Sequence, residues 1–215
     1  MNIGILGSGP VGRSLGNGFA SNGHDVKIGS RSPGKQELQD WLKTTKGKIS
    51  VGTFLEAATQ RDVLVLCPLG EAAENVIKLA GTENFVGKLV IDATNPLDFS
   101  KGMPPGLFVG TTDSLAERIQ RMLPGAKVVK CFNMVNNQTM TNPRMKEGLA
   151  DMVICGNDES AKRQVTELLK EFGWGEPIDI GAIDGARWLE AYVALWVRVA
   201  MKLENWTVAA KFLRS

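Results

Sequence analysis

An α/β fold, doubly wound around a mostly parallel sheet, is predicted by three observations. Strand-like and helix-like stretches alternate along the whole chain. The first apolar run, Ile3, Ile5 and Leu6, leads directly into Gly7, Gly9 and Gly12. A second strand, residues 25–28, follows the helix that these glycines open. Together they make a Rossmann-type strand–turn–helix–strand unit. The predicted organisation is a sheet domain over residues 1–180 and a C-terminal helical appendage over 181–215, built as one structural unit.

The opening strand reads as buried because its apolar residues run together rather than alternate. The run Gly7-Ser8-Gly9-Pro10-Val11-Gly12 has the G-x-G-x-x-G spacing. Gly7 permits the tight turn, Gly9 lets backbone approach a pyrophosphate, and Gly12 lets the next helix pack close. That helix is predicted over residues 11–22, with Leu15, Phe19 and Ala20 on one side. Its N-terminus offers free N–H groups and partial positive charge to the pyrophosphate.

The end of the second strand decides which dinucleotide is expected. An NAD site places Asp or Glu there for the ribose 2′-OH. This chain has Gly29-Ser30-Arg31-Ser32, with Lys35 just beyond. A carboxylate would repel a 2′-phosphate, whereas Arg31 and two hydroxyls would bind it. NADP(H) is therefore predicted. Ser32 also has the chemistry of an N-cap, with Pro33 at the first helical position.

The next elements are a helix over 34–45, a strand over 48–51, a strand over 62–67 and a helix over 70–80. A strand over 88–92 precedes a Pro/Gly-rich loop at 102–106 that reads as a surface flap or a substrate-side loop. A helix over 115–123, strands over 126–132 and 151–155, a helix over 159–172 and a strand over 177–180 follow. Residues 184–213 read as one long helix carrying Trp188, Tyr192, Trp196, Met201, Trp206 and Phe212. Its apolar surface is wider than one sheet can cover, which predicts a homodimer. Arg187, Glu190, Arg198, Lys202 and Glu204 exclude a membrane span.

Ligands in such sheets lie beyond the carboxyl ends of the strands. The tips are Cys67-Pro68-Leu69, Thr94-Asn95-Pro96 and Asn133-Met134. The first is expected along the cofactor and the second near the nicotinamide, with Thr94 and Asn95 orienting carboxamide or ribose. Asn95-Pro96 is equally a turn signal. Asn136 and Asn137 read as turn or capping residues, and His24 as a solvated loop residue far from the chemistry. No protein acid, base or nucleophile set can be assembled. Hydride transfer between two redox rings needs none; it needs the rings held in register.

Composition narrows the classes. Charged residues make up 22% of the chain and net charge is +2, which gives no case for nucleic acid or a membrane surface. Cys67, Cys131 and Cys155 lie in apolar runs without a C-x-x-C or Cys/His cluster, so no metal site is expected. Reduced thiols and the absence of a readable signal peptide suggest a cytoplasmic protein.

The stretches 3–12, Gly23-His24-Asp25-Val26 and Ile28-Gly29-Ser30-Arg31-Ser32 resemble the NADP oxidoreductase, coenzyme F420-dependent family. That family also includes the reductase domains of the STEAP metalloreductases. The resemblance continues through residues 90–97, 127–133, 153–158 and 179–190. It implies hydride transfer between NADPH and F420, a deazaflavin, with the 2′-phosphate on Ser30, Arg31 and Ser32. Asn133 stands where F420-dependent members carry histidine, and those members carry serine or asparagine residues around Asp184, Gly185 and Ala186. Asn133, Met134, Asp184 and Arg187 are the expected acceptor-side residues. F420, a flavin, a quinone-like acceptor or a small carbonyl compound remain open as the small-molecule acceptor. A non-catalytic NADP(H)-binding redox sensor or scaffold is the alternative class of function.

Overall fold

The computed structural model describes residues 1–213. Its elements are β1 (Asn2–Leu6), α1 (Pro10–Ser21), β2 (Asp25–Gly29), α2 (Gln36–Thr44) and β3 (Lys48–Gly52). Then come α3 (Phe54–Ala58), β4 (Val63–Leu66), α4 (Ala73–Ala80), β5 (Leu89–Asp92), β6 (Leu97–Asp98) and β7 (Gly106–Leu107). The rest are α5 (Leu115–Met122), β8 (Lys127–Lys130), α6 (Asn137–Thr141), β9 (Arg144–Met145), β10 (Gly148–Leu149), β11 (Val153–Gly156), α7 (Glu159–Glu171), β12 (Ile178–Asp179) and α8 (Ala186–Lys202).

Ile3, Ile5 and Leu6 are fully buried, and β1 accordingly lies inside the sheet between β4 and β2. The eight strands run in the order β12-β11-β8-β5-β4-β1-β2-β3. The order reverses between β1 and β4, which is where a crevice opens in such sheets. The β8–β11 pair is antiparallel, while β12 is parallel to β11. Two additional short hairpins, β6–β7 and β9–β10, stand outside this sheet.

Three expectations are corrected. The final helix ends at Lys202 and starts at Ala186, after a 3-10 turn at Ile183–Gly185, rather than spanning 184–213. Glu204 adopts a φ of 49°, and Asn205 accepts from the Thr207 N–H at 2.9 Å. This Asx turn competes with the helix and reverses the chain. The returning segment packs along α8: the Trp196 indole N–H donates to the Val208 carbonyl at 2.8 Å. Part of the apolar helix is thus covered by the chain's own tail.

The second correction is His24. It is buried rather than solvated, because its ring packs edge-on to Phe19 and its Nε2 lies 2.6 Å from Glu171 Oε2. The third is Ser32, which is not an N-cap. Residues 32–35 form a turn closed by Lys35 N–H on the Ser32 carbonyl, and α2 begins at Gln36.

Candidate active site

The glycine turn leaves β1 through Gly7, whose φ of 148° admits a side chain only with strain. A Cβ there would also sit 2.8 Å from the Cys67 carbonyl oxygen. Gly12 packs against Gly7 with no space for a side chain. Gly9 differs: a Cβ on it would meet nothing within 4 Å. It is the N-cap of α1, and neither a side-chain cap nor an acidic residue in the first turn satisfies the helix terminus. Open space in front of uncapped N–H groups suits an anion, so this cradle fits a pyrophosphate.

At the β2 tip, Ser30 is buried and ties two loops together. Its Oγ accepts from the Ser8 hydroxyl at 3.0 Å and from the Ser32 N–H at 3.2 Å. Arg31 and Ser32 are exposed, and Arg31 has no ionic partner among the described residues. Lys35 pairs with Glu37 at 3.0 Å. Arg13 joins the same patch unforeseen. Its Nε donates to the Ser8 carbonyl, its guanidinium pairs with Glu37 at 2.8 Å, and it lies over the Trp41 ring. Only its position one residue after Gly12 hinted at this. The tip therefore offers hydroxyls and Arg31, which has no ionic partner among the described residues, with Glu37 engaged by Arg13 and Lys35 at its edge, which fits a 2′-phosphate.

On the other side of the reversal in strand order, a cleft of about 180 Å³ opens between the β4 and β5 tips. Val11, Cys67, Pro68, Leu69, Thr94 and Asn95 line it. Leu97 and Phe99, leading out of β6, close one side, and Glu71 is the one ionisable carboxylate on its wall. Burial pushes the Cys67 thiol up to about 12, so it is an apolar wall and not a nucleophile. A mostly apolar slot with a few polar groups at one end suits a flat ring.

The polar end is anchored from behind. Asp92 Oδ1 accepts from the Thr94 N–H at 2.9 Å and the Thr94 hydroxyl at 2.7 Å. Lys130 Nζ donates to Asp92 Oδ2, the Thr94 carbonyl and Glu190 Oε1 at 2.9, 2.7 and 2.8 Å. Burial opposes the Lys130 charge, but the two carboxylates outweigh it and hold its pKa above the usual lysine value. Glu190 also accepts from the Leu115 and Ala116 N–H groups at 2.7 and 3.0 Å. The sequence offered one signal of this, a lysine closing the apolar strand β8.

Asn133 was placed beside the acceptor, and it lies buried beneath Asn95. Its Nδ2 donates to Asn95 Oδ1 and to the Leu189 carbonyl, both at 2.9 Å, while Asn95 Nδ2 donates to the Asn133 carbonyl at 2.9 Å. Both partners of Nδ2 are acceptors, which fixes the amide orientation. Asn133 Oδ1 is left buried without a partner. Phe132, just before it, takes a φ of 67°, a strained conformation for a non-glycine residue. Met134 is buried. Asp184 is exposed ahead of α8, and Arg187 makes a two-point ion pair with Glu117 on α5 at 2.9 and 2.6 Å. Neither lines the cleft.

Residues 2–96 match the family model "NADP oxidoreductase coenzyme F420-dependent". The chain is 30% identical over 219 residues to the F420-dependent NADP reductase of Methanocaldococcus jannaschii, covering 95% of each. It belongs to the F420-dependent NADP oxidoreductase family. Metalloreductase STEAP3 of Rattus norvegicus is also 30% identical over 194 residues, but these are 88% of this chain and 36% of that protein. A crystal structure from an Arthrobacter species, assigned as an F420-dependent NADP reductase, superimposes with a TM-score of 0.95 at 37% identity over 100% of both chains. As a member of this family, the chain is an NADP-dependent oxidoreductase. Among the described residues no group of acidic, Cys or His side chains is arranged to hold a metal, and no helix is long and apolar enough to cross a membrane.

Proposed function

We propose that the chain transfers hydride between NADPH and a deazaflavin of the F420 type. The observation that carries this reading is the pairing of two unlike ends. One is an uncapped helix N-terminus beside a hydroxyl and cation tip. The other is an apolar slot that ends in Thr94 and Asn95. When bound, NADPH supplies the hydride and the deazaflavin ring accepts it.

The residues bind and orient. Gly9 and the α1 N-terminus hold the pyrophosphate, and Ser30, Arg31, Ser32 and Lys35 hold the 2′-phosphate. Pro10 fixes the first turn of α1, and Pro68 and Pro96 stiffen the two strand tips. Thr94 and Asn95 orient the nicotinamide end. Val11, Cys67, Leu69 and Phe99 exclude water from the rings, which strengthens every polar contact there. Asn133 backs that end through its bond to Asn95.

Trp188 and Leu195 on α8 and Leu203 at its C-cap are 64%, 58% and 60% exposed. A second copy of this chain is the proposed occupant of that apolar face, since apolar patches of this kind favour association. The reduced, buried thiols Cys67, Cys131 and Cys155 suit a cytoplasmic setting.

The test is anaerobic NADPH oxidation against F420, FMN, FAD, quinones and ferric chelates. Oxidation with F420 alone is the expected result. Turnover with flavin or ferric chelate and none with F420 would overturn the acceptor assignment. Sedimentation equilibrium at micromolar protein reads the assembly, and a clean monomer would remove the second copy.

A further inference from the structure

We propose that Lys130, with Asp92 and Glu190, is a positioning device. It sets the Thr94–Asn95 tip for the nicotinamide half of the dinucleotide and couples that tip to the starts of α5 and α8. The inference rests on the reading of the cleft as the nicotinamide site.

The three side chains are 0%, 0% and 3% exposed. A buried ion pair is a poor source of stability, because desolvating its members costs as much as their attraction returns. Apolar residues of similar volume would serve a core equally well. What this cluster supplies is registry. All three Lys130 protons are used, on a carboxylate, a backbone carbonyl and a second carboxylate. One cation faces two carboxylates, and the surplus negative charge meets the N–H groups of Leu115 and Ala116 at the start of α5. Asp92 in turn holds Thr94 by both its amide and its hydroxyl.

Four elements, β5, β8, α5 and α8, therefore share one saturated network. The tip cannot shift without breaking a charge-assisted bond. A misplacement of about 1 Å in a reacting centre costs roughly a hundredfold in rate, so such a restraint matters where two rings must align. The adenosine end has no part in this network; Ser8, Ser30 and Ser32 hold one another on the other side of β1.

The experiment compares NADPH with 2′,5′-ADP, which carries the 2′-phosphate and lacks nicotinamide. Lys130→Met strands two buried carboxylates and is expected to unfold the protein. Glu190→Gln keeps the side-chain shape and an oxygen for Lys130 and the Ala116 N–H, removes one charge, and turns an NH2 group toward the Leu115 N–H, so that one bond to the start of α5 is lost. In Glu190→Gln, the Kd for NADPH should rise about fivefold or more while that for 2′,5′-ADP stays within about twofold. The kcat with the acceptor should fall with the acceptor KM unchanged. Equal weakening of both ligands, or of neither, overturns the proposal. The unsubstituted protein gives an independent reading by hydrogen exchange. NADPH should slow exchange at the Leu115 and Ala116 amides and 2′,5′-ADP should not; equal protection overturns the coupling even if no variant folds. Failure of the unsubstituted protein to bind NADPH would instead sink the dinucleotide reading, and the positioning role with it, before any substitution is made.

Discussion

Replacing Gly9 by valine separates the phosphate cradle from the fold. Gly9 has a φ of −74° and a ψ of −174°, which any residue adopts. Its missing Cβ points into open space, with nothing within 4 Å. Valine is a poorer N-cap than glycine, so the expected loss of stability is no more than about 1 kcal/mol. Binding should suffer far more. The valine methyl groups would occupy the space in front of the α1 N–H groups, where the pyrophosphate is proposed to sit. Losing two charge-assisted hydrogen bonds at about 1.5–3 kcal/mol each weakens the dinucleotide by roughly two to four decades. A thermal melt and a fluorescence titration with NADPH read the two effects on one preparation. Gly7→Val is the contrast: its φ of 148° and the Cys67 carbonyl 2.8 Å away predict misfolding. A folded Gly9→Val protein that binds NADPH within about threefold of the original would refute the cradle.

Arg31→Ala should weaken NADPH by about ten- to a hundredfold and leave NADH unchanged, since a phosphate-paired charge is worth about 1.5–3 kcal/mol; equal affinity of the original protein for NADH and NADPH would contradict this. Asp113 is held down to about 2 from 3.8 by Arg121, with Arg118 adding to it. Its carboxylate therefore stabilises the fold above pH 3.8, and that contribution disappears as pH falls through about 2. Acid titration of Asp113→Asn should lack this component of the unfolding curve, and an unchanged curve counts against it. Burial pushes the Cys67 and Cys155 thiols up to about 12, so iodoacetamide at pH 8 should label the native protein only on unfolding; rapid native labelling would show those thiols accessible.

The geometry of the glycine turn and of the β2 tip was legible because its signals are local. Gly7, Gly9, Gly12 and the Ser30–Ser32 turn lie within one strand–helix–strand unit, and each follows from spacing or residue type. The sheet was legible for a similar reason: β1, β4 and β5 are continuous apolar runs. The network behind Thr94 was not legible, since Lys130 and Glu190 are 60 residues apart, and nothing in the strand pattern says that the lysine faces inward to a carboxylate on α8. Misreading the last helix had a different cause. Its apolar residues continue past Lys202, and only the short run Asn205-Trp206-Thr207 marks the turn that ends it. His24 was misplaced because strand-end position predicts exposure only when no other element packs there, and the end of α7 does.

The same division between local and distant bears on how the family varies. The family model ends at Pro96, so it contains the glycine turn, the Ser30–Ser32 tip and the Thr94–Asn95 tip, and nothing of α8. The Thr94–Asn95 tip is held by groups on both sides of that boundary: Asp92 and Asn95 before it, Lys130, Asn133, Leu189 and Glu190 after it. Substitution of the second set leaves the glycine turn and the Ser30–Ser32 tip untouched and acts on the Thr94–Asn95 tip from behind. Asn133 is the position through which such a change acts most directly, because it bonds Asn95 and α8 at once and still has a buried oxygen without a partner. A side chain there of different length or charge would tilt the β5 tip relative to α8.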